Sequence, residues 1–155
     1  MFHEIRRKDR QLTNTESMAI LEKAEYGIFS TIGVNGYPYG VPVNYVLKDN
    51  SIYFHCALNE GHKLDNLKNS NRVSFCVVGD VNVIPSEFST KYESVIVFGR
   101  ATELKGEAKN EALVNLLNKY SPGFIDKGEK YINNDGEITA VIKIDIEHLT
   151  GKANK

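Results

Sequence analysis

Two β-rich runs, 28–34 and 39–47, flank the dipeptide Asn35-Gly36, and this arrangement constrains the fold more than any other feature of the chain. Asn and Gly accept the positive φ values of a tight turn at little cost, so the two runs are expected to fold back on each other as a hairpin. A meander of antiparallel strands follows. Residues 51–57 and 72–78 read as a third and a fourth strand, and 94–104 as a fifth in which Gly99 is the one strong breaker. In 138–146, the alternation of Ile138, Ala140, Ile142, Ile144 and Ile146 marks a last strand with one buried face.

Helical spacing interrupts these runs. Thr13 or Thr15 can cap a helix over 13–23, with Met18, Leu21 and Ala24 as its apolar stripe. A short helix is expected over 61–70, with Leu64 and Leu67 facing inward. The clearest helix covers 107–120, where Ala108, Ala112, Leu113, Leu116 and Leu117 recur at helical spacing and Ser121-Pro122-Gly123 ends the run. Residues 125–132 read as short helix or irregular chain. Residues 79–92 show no period and contain Pro85, so they are expected to form a long loop with a short strand at 81–84. About six antiparallel strands with short helices make an α+β chain, mainly β, and closing the sheet would remove its exposed edges.

A chain of 155 residues falls in the one-domain range, so a single domain over 1–155 is expected. The formal net charge is −1, which gives no field to gather nucleic-acid phosphates or anionic lipid. The basic run Arg6, Arg7, Lys8 and Arg10 is broken by Asp9 and reads as a solvated arm. No stretch approaches the roughly 20 apolar residues of a membrane span, and the first residues are charged where a secretory signal would be apolar. The expected location is cytoplasmic. Cys56 and Cys76 are then expected as buried, reduced thiols.

The segment richest in chemistry runs Gly40-Val41-Pro42-Val43-Asn44-Tyr45, then Ile52-Tyr53-Phe54-His55-Cys56-Ala57, then Gly61-His62-Lys63-Leu64-Asp65-Asn66-Leu67. Pro42 cannot donate to a ladder, so its strand is an edge there or is interrupted, which frees backbone groups of Val41, Val43 and Asn44 for a heterocycle. His62 and Lys63 begin a helix, where free N–H groups and the dipole favour a phosphate dianion and Lys63 adds a full charge. His55, Cys56 and His62 are all metal-ligand types. However, neighbouring strand residues point to opposite faces and no paired Cys or His spacing supplies the rest, so no metal site is expected.

In these three motifs, in this order and with short gaps, the chain resembles the pyridoxamine 5'-phosphate oxidase-like FMN-binding split-barrel superfamily. Within that superfamily it is similar to the 5-nitroimidazole resistance group. The likeness spans about 26–101 and extends more loosely to Lys152. It implies an FMN-binding split β-barrel that works as a homodimer, with the flavin between subunits. It further implies that Val41, Pro42, Val43, Asn44 and Tyr45 lie along the flavin ring. His55 and Cys56 would sit at its phosphate-ribityl end, and His62, Lys63 and Asn66 would anchor it from the helix start. Glu93 and Ser94 resemble the strand that reaches the partner's flavin. Tyr39, His55 and Tyr92 would border a substrate cavity, although His55 can equally be a structural histidine.

The chain has no tryptophan and closes with Ile146-Glu147-His148-Leu149-Thr150-Gly151-Lys152. Pyridoxamine phosphate oxidase itself ends in a tryptophan- and arginine-containing segment, so vitamin B6 oxidation is not expected. The Thr-Gly-Lys ending is similar to the 5-nitroimidazole resistance group. The expected activity is transfer of electrons from a reduced nicotinamide nucleotide, through FMN, to a nitroaromatic or other small acceptor. The chain has no Gly-x-Gly-x-x-Gly element, so that nucleotide would visit as a substrate. The rival expectation is a non-catalytic sensor or carrier that binds FMN, haem or a deazaflavin.

Overall fold

A computed structural model describes residues 1–59 and 61–155. The Asn35-Gly36 signal makes its turn: Gly36 adopts φ +79°, its N–H donates to the Gly33 carbonyl at 2.9 Å, and Asn35 Oδ1 accepts the Tyr37 N–H at 3.1 Å. This turn joins β1 (Gly27–Ile32) to β2 (Pro38–Val43) in an antiparallel ladder that sets Ile28 opposite Pro42. The remaining strands are β3 (Val46–Lys48), β4 (Ser51–Ala57), β5 (Arg72–Ile84), β6 (Ser89–Leu104) and β7 (Thr139–Asn154). The helices are α1 (Asn14–Lys23), α2 (His62–Asn69), α3 (Gly106–Tyr120) and α4 (Ile125–Asp135).

All seven strands belong to one antiparallel sheet, ordered β2-β1-β5-β6-β7-β4-β3. Strands β2 and β3 stand at its two ends, yet only Asn44 and Tyr45 connect them along the chain. Three Cα steps reach at most about 11 Å. The sheet must therefore curl until its two edges nearly meet, without pairing into a closed ladder. This is the split barrel that the resemblance implies, and not the closed sheet that the strand pattern alone suggests.

Several boundaries differ from the sequence reading. The run 39–47 breaks at Asn44-Tyr45, so the described residues form seven strands where about six were expected. The supposed loop 79–92 is the far end of a hairpin: β5 continues to Ile84 past a bulge between Val78 and Val81, and after a 3₁₀ turn β6 starts at Ser89. Five of the last seven residues of β5 are exposed, so this arm shows no buried face for a period to reveal. Strand β7 starts one residue later than expected and runs on to Asn154. Helix α4 extends to Asp135.

The barrel interior holds Phe29, Tyr45, Phe54 and Phe75, all fully buried, and each such side chain contributes roughly 1.5–3 kcal/mol of burial. The Tyr45 and Phe75 rings meet edge-on at 4.8 Å. Outside the barrel, α3 packs Ala112, Leu113 and Leu116 over Val141, which explains why β7 is buried on both faces there. Helix α1 begins with a full capping box, in which Thr13 and Glu16 satisfy each other's backbone N–H groups, and buries Ile20 and Leu21. Gly99 sits at a bulge in the β6–β7 ladder, where a Cβ would collide with the Asp145 carbonyl.

Candidate functional site

The split between β2 and β3 opens a groove of about 570 Å³. Its walls bring together Pro42, Val43 and Asn44 from the end of β2, His55 and Cys56 from β4, and Lys63 from the first turn of α2. On the far side, α3 closes it with Leu116, Leu117 and Tyr120. Residues apart in sequence converge here because β4 lies beside β3 at the opposite end of the sheet from β2, while the curl brings those ends together.

Local chemistry fixes the crossing. Tyr120 Oη accepts the Tyr45 N–H at 2.9 Å and offers its proton to the carbonyls of Glu25 at 2.6 Å and Tyr45 at 2.8 Å. Lys119 Nζ donates to the carbonyls of Ala24 at 2.7 Å and Tyr45 at 2.9 Å, and lies 4.2 Å from the centre of the Tyr45 ring. Burial pulls the Lys119 ammonium below its ordinary pKa, and burial pushes the Tyr45 phenol well up. The backbone groups released where the strand breaks are thus partly used by α3. Lys119 and Tyr120 escape sequence reasoning because their partners lie 74 and 75 residues away in the chain.

The individual residues fall into three sets. Pro42, Val43, Asn44, His55, Cys56 and Lys63 line the groove. Surrounding protein pushes the His55 imidazole below its usual value although its edge is exposed, and burial pushes the Cys56 thiol up against the opposing pull of Lys63. His62 flanks this set, its ring 4.0 Å from that of Tyr39 on β2. Gly61, at the α2 N-cap, brings no side chain to satisfy the helix's first N–H groups.

A second set faces the interior. The Tyr45 side chain is enclosed, its hydroxyl bonded to the Leu21 carbonyl. Val41 packs against the core. Asn66 is buried and donates from Nδ2 to Thr31 Oγ1 at 2.9 Å, pinning α2 to β1.

The third set lies on β6. Glu93 lines a different cleft with Lys23, Tyr26 and Asp80, Ser94 is paired with Val78 and Lys152, and Tyr92 lies under Lys152 Nζ at 5.7 Å. Within one chain these residues do not join the groove. Among the described residues no group of three or more His, Cys, Asp or Glu could hold a metal, and no helix is long and apolar enough to cross a membrane.

A curled sheet split at one seam, with a groove along the seam and an uncapped helix start beside it, defines a small split β-barrel. The chain belongs to the pyridoxamine 5'-phosphate oxidase family, whose model matches residues 13–153. No curated protein sequence matches it. Among solved structures it is similar to a protein from Bacteroides thetaiotaomicron described as a 5-nitroimidazole antibiotic resistance protein, with a TM-score of 0.74 and 20% identity over 94% of this chain and 90% of that one. It is also similar to an FAD-binding protein from Mesorhizobium loti, with a TM-score of 0.67 and 22% identity over 94% and 98%. A third similar structure is the FAD and heme binding protein from Mycobacterium smegmatis, with a TM-score of 0.80 and 19% identity over 94% and 74%. At such identities the likeness is one of fold.

Proposed function

We propose that this protein is an FMN-dependent oxidoreductase that carries electrons from a reduced nicotinamide nucleotide to a nitroaromatic or other small acceptor. The observation that carries the reading is the convergence of Pro42–Asn44, His55–Cys56 and Lys63 on one groove at the barrel seam. That convergence fits a flavin mononucleotide. Lys63 supplies a cation in the first turn of α2, and the uncapped helix start supplies N–H donors for a phosphate. The exposed edge at Asn44 and the apolar flank of Val43, Leu116 and Leu117 suit the polar and apolar parts of the ring system. Neighbours of the same fold named as FAD-binding support a flavin, and the choice of FMN among flavins rests on the resemblance of the three sequence motifs.

When bound, the flavin supplies the redox chemistry, accepting a hydride and releasing electrons to the acceptor. The chain's own residues orient it. Tyr120 and Lys119 hold the Tyr45 backbone so that the preceding residues keep their place along the groove. His55 offers a neutral imidazole to whatever enters beside it.

Glu93 and Ser94 do not reach the groove of their own chain, so the reading assigns them to the groove of a second copy in a homodimer. Val78, Ile96 and Phe98 leave an apolar patch on the outer sheet face that such a copy would cover. The test is turnover. Purified protein with FMN is expected to oxidise reduced nicotinamide nucleotide faster when a nitroaromatic compound is added. Flavin binding without acceptor-dependent oxidation would favour a carrier or sensor, and a Soret band in place of flavin absorption would favour haem.

A further inference from the structure

A second and smaller recess of about 130 Å³ adjoins the groove and shares His55, Leu116 and Leu117 with it. Leu113, Leu116 and Leu117 of α3 and Ile132 of α4 form its apolar walls, and His55 stands at its junction with the groove. We infer that this recess is a binding site for one small, uncharged aromatic ring that carries a single polar substituent directed at His55.

Size points to this occupant. An enclosed apolar cavity of about 150 Å³ takes up benzene, so a half-open recess of about 130 Å³ walled in part by leucine and isoleucine has room for one ring and not for two. Polarity points the same way. Of the polar groups at the rim, the Thr139 hydroxyl is already used in donating to the Asp135 carbonyl at 2.9 Å. The Asp135 carboxylate at the rim repels an anionic ligand, and the leucine walls strip water from any charge that enters past it. Tyr131 also lines the recess but is largely exposed, so His55 is the polar contact at the junction with the groove. The protein around it favours the neutral imidazole, which can both donate and accept one hydrogen bond.

The recess also has a built floor. Helix α4 approaches α3 so closely at Gly128 that a Cβ there would collide with the Leu117 side chain. Helix α4 buries no residue of its own. Its Ile132 is half-buried, packed against the Leu113 and Leu116 cluster while still lining the recess.

The recess shares three lining residues with the groove, so its test is run both without flavin and with it. The probe is 4-fluorophenol, titrated into the purified chain with and without added FMN and followed by ¹⁹F and methyl NMR. The expected result is a saturable shift in both conditions, with intermolecular contacts from ring protons to the Leu113 and Ile132 methyls, neither of which lines the groove. Ile132→Phe, which fills the recess from an exposed helix, is expected to weaken binding by about tenfold or more. Three results would overturn the inference: no saturable shift, a shift abolished by FMN, or an undiminished shift in folded Ile132→Phe. If that variant fails to fold, the wild-type contacts to Leu113 and Ile132 decide alone. Failure of FMN to bind would remove the oxidoreductase reading and leave this result standing.

Discussion

Replacing Tyr120 with Phe removes a single oxygen from the seam of the barrel, and the structure allows its cost to be worked out. That oxygen accepts the Tyr45 N–H at 2.9 Å, within a residue that has no exposed surface. Without it the donor is left buried and unpaired, which costs about 1–3 kcal/mol. The two carbonyls that share the hydroxyl proton lose less. Tyr45 O keeps Lys119 Nζ at 2.9 Å, and Glu25 is exposed, so water can replace the lost donor. The expected destabilisation is therefore about 1–3 kcal/mol. For a chain of this size that lowers the thermal midpoint by roughly 2–12 °C. The assay is urea and thermal unfolding followed by circular dichroism, with Tyr131→Phe as the comparison. Tyr131 is exposed, and its variant should stay within about 0.5 kcal/mol of wild type. If Tyr120→Phe matches Tyr131→Phe, the seam is held by something other than this hydroxyl.

Three further outcomes follow from single contacts. Asn66→Ala leaves the buried Thr31 hydroxyl without its donor and should cost about 1–3 kcal/mol in urea unfolding; no change would mean that α2 is held elsewhere. Gly99→Ala places a methyl against the Asp145 backbone and should cost about 1–3 kcal/mol, whereas Gly123→Ala, which enters open space, should be neutral in the same thermal melts. The His55 pKa is lowered in the folded chain, so as pH falls below about 6.5 the unfolded chain takes up the proton first and stability declines. His55→Gln should remove that part of the slope between neutral and mildly acidic pH, and an unchanged slope would show that the imidazole titrates freely.

Much of this architecture is legible in local sequence. Asn35-Gly36 marks its turn because φ > 0 is a local demand, and the alternating isoleucines of 138–146 mark β7 because one face meets the barrel interior. The stripe of Ala112, Leu113 and Leu116 marks α3 in the same way. What fails to show is what depends on distance. The outer β5–β6 arm carries Val81 and Val83 exposed, so no burial pattern betrays it and Pro85 suggested a loop.

The groove is legible in part. Pro42, His55 and Lys63 are recognisable as a set, but the break they frame falls at Asn44-Tyr45, where the two sheet edges meet. Asn66 and Tyr45 read as site residues by position, and the structure gives their side chains to the interior. Tyr120 and Lys119 carry no local mark, because an ordinary helix end becomes a latch only when the sheet curls beneath it.

The central claim is that the seam groove holds FMN through Lys63 and the start of α2. Titrating FMN into flavin-stripped protein, with quenching of flavin fluorescence as the signal, tests it directly. The account predicts saturable binding at one flavin per chain, weakened about tenfold or more in a folded Lys63→Ala variant. A wild-type chain that leaves flavin fluorescence unchanged, or a Lys63→Ala variant that binds as tightly as wild type, would contradict it.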